Sequence, residues 1–215
     1  MADSASFIEF MMAASVLTFG DFTTKSGRKT PYFINTGNYK TGAQISTLGD
    51  FYADAIVKSG VTFDALYGPA YKGIPLVAAA ASSLHRNYGM DVPYCFNRKE
   101  AKDHGEGGLI VGYQPKDGDT LVIVEDVVTA GTAVRETIAL LGHVAQVTIS
   151  ALFVSVDRME RGTGARSALE ELRREYGIDV YPIVTVRDII AALPAGDERI
   201  EKMERYLAEY GATAT

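Results

Sequence analysis

Apolar positions along the chain follow two alternating rhythms. Compact β-branched and aromatic runs occur at 65–67, 92–97, 121–124, 145–156 and 180–184, with the continuity of strands buried on both faces. Between them, apolar residues recur at helical spacing. Ile45, Leu48, Phe51, Tyr52, Ala55 and Ile56 predict a helix over 44–58, and an alanine-rich segment predicts another over 76–84. Further helices are expected at 134–141, 166–176, 188–193 and 198–210. Strand following helix from 44 to 190 predicts a parallel, doubly wound α/β sheet, whose ligands bind beyond the carboxyl ends of its strands.

The first forty residues break this rhythm. Residues 3–18 read as one helix, capped by Asp3 or Ser4, carrying Phe7, Ile8, Phe10, Met11 and Leu17 and closed by Gly20. Residues 21–39 alternate Gly and Pro punctuation with short β-prone runs and read as a hairpin able to cap the main sheet. Residues 110–113 read as an edge strand, followed by a turn at 116–119.

Three loops at strand ends carry candidate chemistry. The first follows the run ending at Val124: Glu125 and Asp126, then Val127, Val128, Thr129, Ala130, Gly131, Thr132 and Ala133 leading into a helix. A helix N-terminus offers unpaired N–H groups and partial positive charge, so a phosphate fits the turn and a polyol fits beside the carboxylates. The second is Gly68-Pro69-Ala70-Tyr71-Lys72-Gly73, where two glycines permit unusual backbone angles and close ligand approach, and Lys72 supplies a mobile charge. The third is 98–108. Arg98, Lys99, Lys102 and His104 fall within seven residues and run into Gly-rich sequence, which reads as a mobile surface loop able to close over a polyphosphate. A solvated charge run is the blander meaning of such a segment.

Two competing motifs fail. An apolar strand ending in acid is also the form of a Walker B strand, but its required partner G-x-x-x-x-G-K-[ST] is absent. Gly162-x-Gly164-x-x-Ser167 approaches a dinucleotide fingerprint and lacks the third glycine. Arg158, at the end of the run 145–156, has two readings: a planar fork for a ligand carboxylate, or a salt bridge to Glu160 or Asp157.

The chain has 215 residues, 47% of them hydrophobic, which is enough for one fully cored domain. A net charge of −6 gives no overall footprint for nucleic acid or an anionic membrane, so an anionic ligand must meet a local basic cluster. One cysteine, Cys95, excludes an intrachain disulfide and points to a reducing compartment. With no membrane-length apolar run and no secretion-signal pattern at the start, cytoplasm is the expected location.

In combination these segments resemble the type I phosphoribosyltransferases, and more narrowly the branch that acts on orotate. Four stretches carry the resemblance in order: Lys25-Ser-Gly-Arg28-x-x-Pro31-Tyr32-Phe33, Gly68-Pro-Ala-Tyr71-Lys72-Gly73, Phe96-Asn-Arg98-Lys99-Glu-x-Lys102-x-His104-Gly, and the stretch 121–133. The resemblance implies a single domain over 1–215, with a central parallel sheet flanked by helices and a small hood built mainly from about 1–40 with C-terminal elements. It implies that Glu125 and Asp126 hold the ribose hydroxyls of phosphoribosyl pyrophosphate (PRPP), that 127–133 holds its 5-phosphate, and that Tyr71 and Lys72 meet pyrophosphate. Lys25, Arg98, Lys99, Lys102 and His104 join the PRPP site, with Lys99, Lys102, His104 and Asp126 catalytic. Phe33, Ile34, Thr129 and Arg158 line the orotate pocket; position 34 often carries Phe in bacterial members, and Glu125 stands where many carry Asp.

The resemblance further implies Mg²⁺ held mainly through PRPP and water, without direct protein ligands. It also implies a homodimer in which Arg98 serves the neighbouring subunit's site. A purine-specific enzyme would share 121–133 but need a different base pocket, and Lys25, Phe33 and Arg158 favour an acidic pyrimidine. A non-catalytic PRPP sensor would be expected to show a degraded 98–108 loop or an added DNA-binding module, and the intact Lys99-x-x-Lys102-x-His104 together with the acidic net charge speaks against it.

Overall fold

The computed structural model describes residues 3–24, 27–99, 108–162 and 164–213. Its centre is a six-stranded sheet. The strands are β3 (Ala65–Gly68), β4 (Tyr94–Asn97), β5 (Ile110–Gly112), β6 (Thr120–Glu125), β7 (Thr148–Asp157) and β8 (Asp179–Thr185), in spatial order β5-β4-β3-β6-β7-β8. All neighbours are parallel except β5, which takes the edge position expected for 110–113 and pairs antiparallel with β4 there. Pro182, which cannot donate to a ladder, lies on the opposite edge strand.

The sheet is buried on both faces, and alternate residues of each central strand enter different cores. Val122 and Val124 of β6 join Phe153 of β7 on one side; Leu121 and Ile123 join Leu152 and Val154 on the other. All of these side chains are fully buried, each worth about 1.5–3 kcal/mol of transfer free energy. The first face is covered by α1 (Ser4–Ala13), α2 (Gly42–Ser59), α3 (Gly73–Tyr88), α6 (Val186–Ala191) and α7 (Glu198–Tyr210). The second is covered by α4 (Thr132–Val144) and α5 (Ala168–Tyr176), through Val134, Leu141, Leu169 and Leu172.

Local signals set the helix ends. Thr41 and Gln44 form a reciprocal capping box on α2, and Gly60 closes it at φ +68°, a left-handed angle that glycine adopts without steric cost. Ser167 with Glu170, and Thr185 with Asp188, cap α5 and α6 in the same way. Gly49 has a different role within α2: a Cβ there would lie 2.6 Å from the Ala79 carbonyl oxygen, so α2 and α3 cross at backbone contact.

The N-terminal expectation needs correction. Asp3 does cap α1, accepting from the Ser6 N–H, but the helix stops at Ala13 rather than running to 18. Ser15 turns left-handed at φ +54°, and the Val16 N–H closes back onto the Met11 carbonyl. Leu17 then opens β1 (Leu17–Thr23), which pairs antiparallel with β2 (Lys29–Ile34) in a register that sets Leu17 against Ile34. Gly20 sits at the irregularity of that hairpin, not at a helix end. The hairpin leans on α7: Tyr32 and Tyr206 pack edge to face, and the Arg28 guanidinium lies over Tyr210.

Candidate active site

The strand order reverses between β3 and β6, so the crevice beyond their carboxyl ends is where an open α/β sheet receives ligands. The loops 68–73 and 125–133 both end there and line one open cavity of about 350 Å³.

Glu125 and Asp126 form its floor, and both are buried. Their backbone is pinned from two directions: the Tyr52 hydroxyl donates to the Glu125 carbonyl at 2.6 Å, and the Ser155 hydroxyl and N–H donate to the Asp126 carbonyl at 2.7 and 2.8 Å. The Asp126 carboxylate receives Lys72 Nζ at 2.8 Å and the Thr36 hydroxyl at 2.7 Å. Lys72 Nζ also reaches Thr36 Oγ1 at 3.1 Å, closing a triangle.

Burial opposes charge on both acids, with different outcomes. At Asp126, burial pushes the carboxyl up, but Lys72, Thr36 and the Val127 N–H outweigh it, and the group titrates below its ordinary value. At Glu125, burial dominates. The Asp126 N–H, 2.9 Å from Oε1, opposes it, while the Asp126 charge adds to it, and the group lies above the carboxylate range. One member of the pair holds its charge strongly and the other keeps its proton readily.

The turn into α4 has the expected strand-to-helix form. Gly131, at φ +75°, precedes α4, and no side chain caps the first turn, which leaves its N–H groups for a ligand. Thr129, Thr132 and Ala133 are exposed and line the cavity, Ala130 is exposed beside them, and Val127 and Val128 anchor the loop in the two opposite cores. The arm opposite is built differently from the expectation. Gly68 and Gly73 do not use left-handed angles. They press on each other instead, since a Cβ on Gly68 would lie 2.3 Å from the Gly73 carbonyl oxygen. Asn97 Oδ1 accepts the Ala70 N–H at 2.8 Å and ties this loop to the end of β4. Tyr71 is 69% exposed, with Lys99 Nζ 5.2 Å over its ring.

Lys25, Lys102 and His104 lie outside the described residues. Arg98 is described: its N–H donates to the Leu109 carbonyl at 2.7 Å, at the base of the 98–108 loop. Just after β7, Arg158 pairs with Glu160, one of its two expected states, with Nε 2.8 Å from Oε1. The ring beneath its guanidinium is Tyr32, at 4.6 Å, rather than Phe33. Strand alternation sends Phe33 to the other side of β2, 40% exposed and tilted against Phe22, while Ile34 packs into the larger core. Sequence reasoning missed Thr36, Tyr52 and Ser155. They carry no motif and reach the acids only across 29 to 90 residues of chain.

Residues 35–172 match the phosphoribosyl transferase domain family, and the chain belongs to that family. Orotate phosphoribosyltransferase from Lachnoclostridium phytofermentans is 49% identical over 97% of each chain. The crystal structure of the Francisella tularensis orotate phosphoribosyltransferase superposes with a TM-score of 0.87 at 39% identity, over 95% of this chain and 98% of that one. Within the family, therefore, the chain falls among the orotate phosphoribosyltransferases. The fold is shared more widely: the Mycobacterium tuberculosis orotate phosphoribosyltransferase in complex with PRPP superposes with a TM-score of 0.63 at 18% identity.

Proposed function

We propose that the chain transfers the 5-phosphoribosyl group of PRPP to orotate, giving orotidine 5′-monophosphate and diphosphate, a step of de novo pyrimidine synthesis. The observation that carries this reading is the Lys72–Asp126–Thr36 triangle beside an uncapped helix N-terminus at the β3/β6 switch point.

The 5-phosphate is received by the N–H groups and hydroxyls of 127–133, and the ribose hydroxyls by Asp126 and Glu125. Breaking the C1–pyrophosphate bond builds positive charge on the ribose ring and negative charge on the leaving group. Asp126, held ionised by its donors, lies on the first side. Lys72 supplies a cation on the second and moves from carboxylate to phosphate without changing its own charge. Glu125 accepts a hydroxyl proton when ionised and donates its own when protonated, so it serves the sugar in either state. Orotate N1 attacks C1 from the face opposite the departing pyrophosphate, with Arg158 reading the orotate carboxylate.

Mg²⁺ fits the same geometry. Glu125 and Asp126 are the hard oxygen donors nearest the sugar, too few for a dedicated cage, which suits an ion that keeps its waters and is held through PRPP. When bound, it neutralises pyrophosphate charge. Lys99, Lys102 and His104 complete the leaving-group side and exclude water as their loop closes, with Arg98 offered to the neighbouring subunit of a homodimer. The partners proposed are these two small molecules and a second copy of the chain, not nucleic acid or membrane. Among the described residues no helix is long and apolar enough to cross a bilayer, and cytoplasm is the proposed location.

The test follows orotate absorbance after adding PRPP and Mg²⁺. Loss of absorbance that requires all three components is expected. A chain inert with orotate but active with a purine base overturns the reading.

A further inference from the structure

Beyond the residues that would touch substrate, one carboxylate gathers an unusual number of donors. Glu160 Oε1 lies 2.8 Å from Arg158 Nε, 2.8 Å from the Tyr206 hydroxyl and 3.4 Å from the Tyr32 hydroxyl, while Oε2 lies 3.8 Å from Arg28 Nη1. These partners come from four separate places: the end of β7, α7, β2 and the turn of the hairpin. Local backbone brings Glu160 there. Met159 is left-handed at φ +52°, costly for a side chain of its size, and its N–H is fixed by Asp157 Oδ1 at 2.7 Å. That turn sets Arg158 and Glu160 side by side although they are only two residues apart. The segment is clamped from outside, the Ala212 N–H donating to the Met159 carbonyl and the Arg161 N–H to the Tyr210 carbonyl.

The consequence falls on the guanidinium. It lies 4.6 Å over the Tyr32 ring with its Nε edge on Glu160. Nη2 is only 2.6 Å from the same oxygen, yet it is misaligned, and among the described residues it has no hydrogen bond of its own, although it is buried. Among the described residues nothing accepts from Nη1. One edge of the fork is thus fixed and the other retains donors for a planar carboxylate.

We propose that Glu160, supported by Tyr206 and Tyr32, is a positioning residue that orients Arg158 for the carboxylate of an acidic acceptor base, and so sets specificity for that base without touching it. The inference rests on the orotate reading of the site. It places the C-terminal helix in the specificity machinery: Tyr206 of α7 holds Glu160, which holds Arg158. It also separates two functions in space, since among the described residues Glu160 bonds to none of those proposed for PRPP.

The experiment compares Glu160→Gln, Glu160→Asp and Tyr206→Phe with the unaltered chain, measuring KM for orotate and for PRPP separately, and turnover of uracil, which lacks the carboxylate. Glu160→Gln should raise KM for orotate about tenfold, the scale of one charge-assisted bond, with KM for PRPP unchanged and uracil turnover unaffected. Glu160→Asp, which keeps the charge, should recover part of the loss. Tyr206→Phe, mild enough to leave the fold intact, should shift KM for orotate in the same direction by about threefold. If both KM values rise together, or uracil turnover falls in step with orotate, the residue is merely structural and the proposal is overturned. If the unaltered chain ignores orotate, the functional reading itself fails. If it uses orotate and Glu160→Gln leaves KM unchanged, the positioning role alone fails.

Discussion

Thr36→Val removes one hydroxyl from the triangle with Lys72 and Asp126, to which no sequence motif assigns it. The side chain keeps its volume, so the 3-10 turn at Thr36–Asn38 is retained. What disappears is a 2.7 Å donor to Asp126 and a 3.1 Å acceptor for Lys72. A hydrogen bond to a charged group is worth about 1.5–3 kcal/mol. Thr36 is partly exposed and Lys72 remains on the carboxylate, so the lower end applies, about tenfold in kcat/KM for PRPP. The sign of the pH effect follows from the same geometry. Asp126 is ionised in the folded chain because its donors overcome burial, and losing one donor raises its pKa. The acid limb of the kcat/KM profile for PRPP should therefore move to higher pH when initial rates are measured from about pH 3 to 9. Thr36→Ser, which restores the hydroxyl, should behave as the unaltered chain. An unmoved acid limb in the valine variant, or equal damage in the serine variant, would refute the assignment.

Three further outcomes are expected. Glu125 keeps its proton in the folded chain at pH values where the unfolded chain has lost it, so its contribution is fully present below its ordinary 4.5 and fades as pH rises into the neutral range. Glu125→Gln should flatten the fall of the thermal midpoint over that range, and parallel curves for the two proteins would count against a raised Glu125. Gly49→Ala places a methyl 2.6 Å from the Ala79 carbonyl oxygen and should cost about 1–3 kcal/mol, read as a lower urea midpoint with unchanged KM values; an unchanged midpoint would show that the α2–α3 crossing yields. Mixing Arg98→Ala and Asp126→Ala subunits should recover activity that neither has alone if the site is shared across a dimer, and no recovery in a mixed dimer would locate both residues in one subunit's site.

The chain's linear pattern determined the elements and most of the cradle. The run ending at Val124, the adjacent acids and the small-residue turn into α4 are contiguous, and local chemistry alone specifies a strand, its carboxyl end and an uncapped helix start. The helical periods at 44–58 and 166–176 were legible for the same reason, since one face of each must be buried. Where a local rule competed with a distant partner, tertiary structure decided. Leu17 fits a helical stripe by spacing, but pairing with Ile34 makes it a strand residue. Gly49 carries no signal in the sequence pattern, and only the approach of α3 explains it. The protonation states of the two acids were beyond the sequence altogether. They depend on Thr36 and Lys72 arriving from 90 and 54 residues away in a site where burial opposes charge, and no spacing rule carries information across such distances.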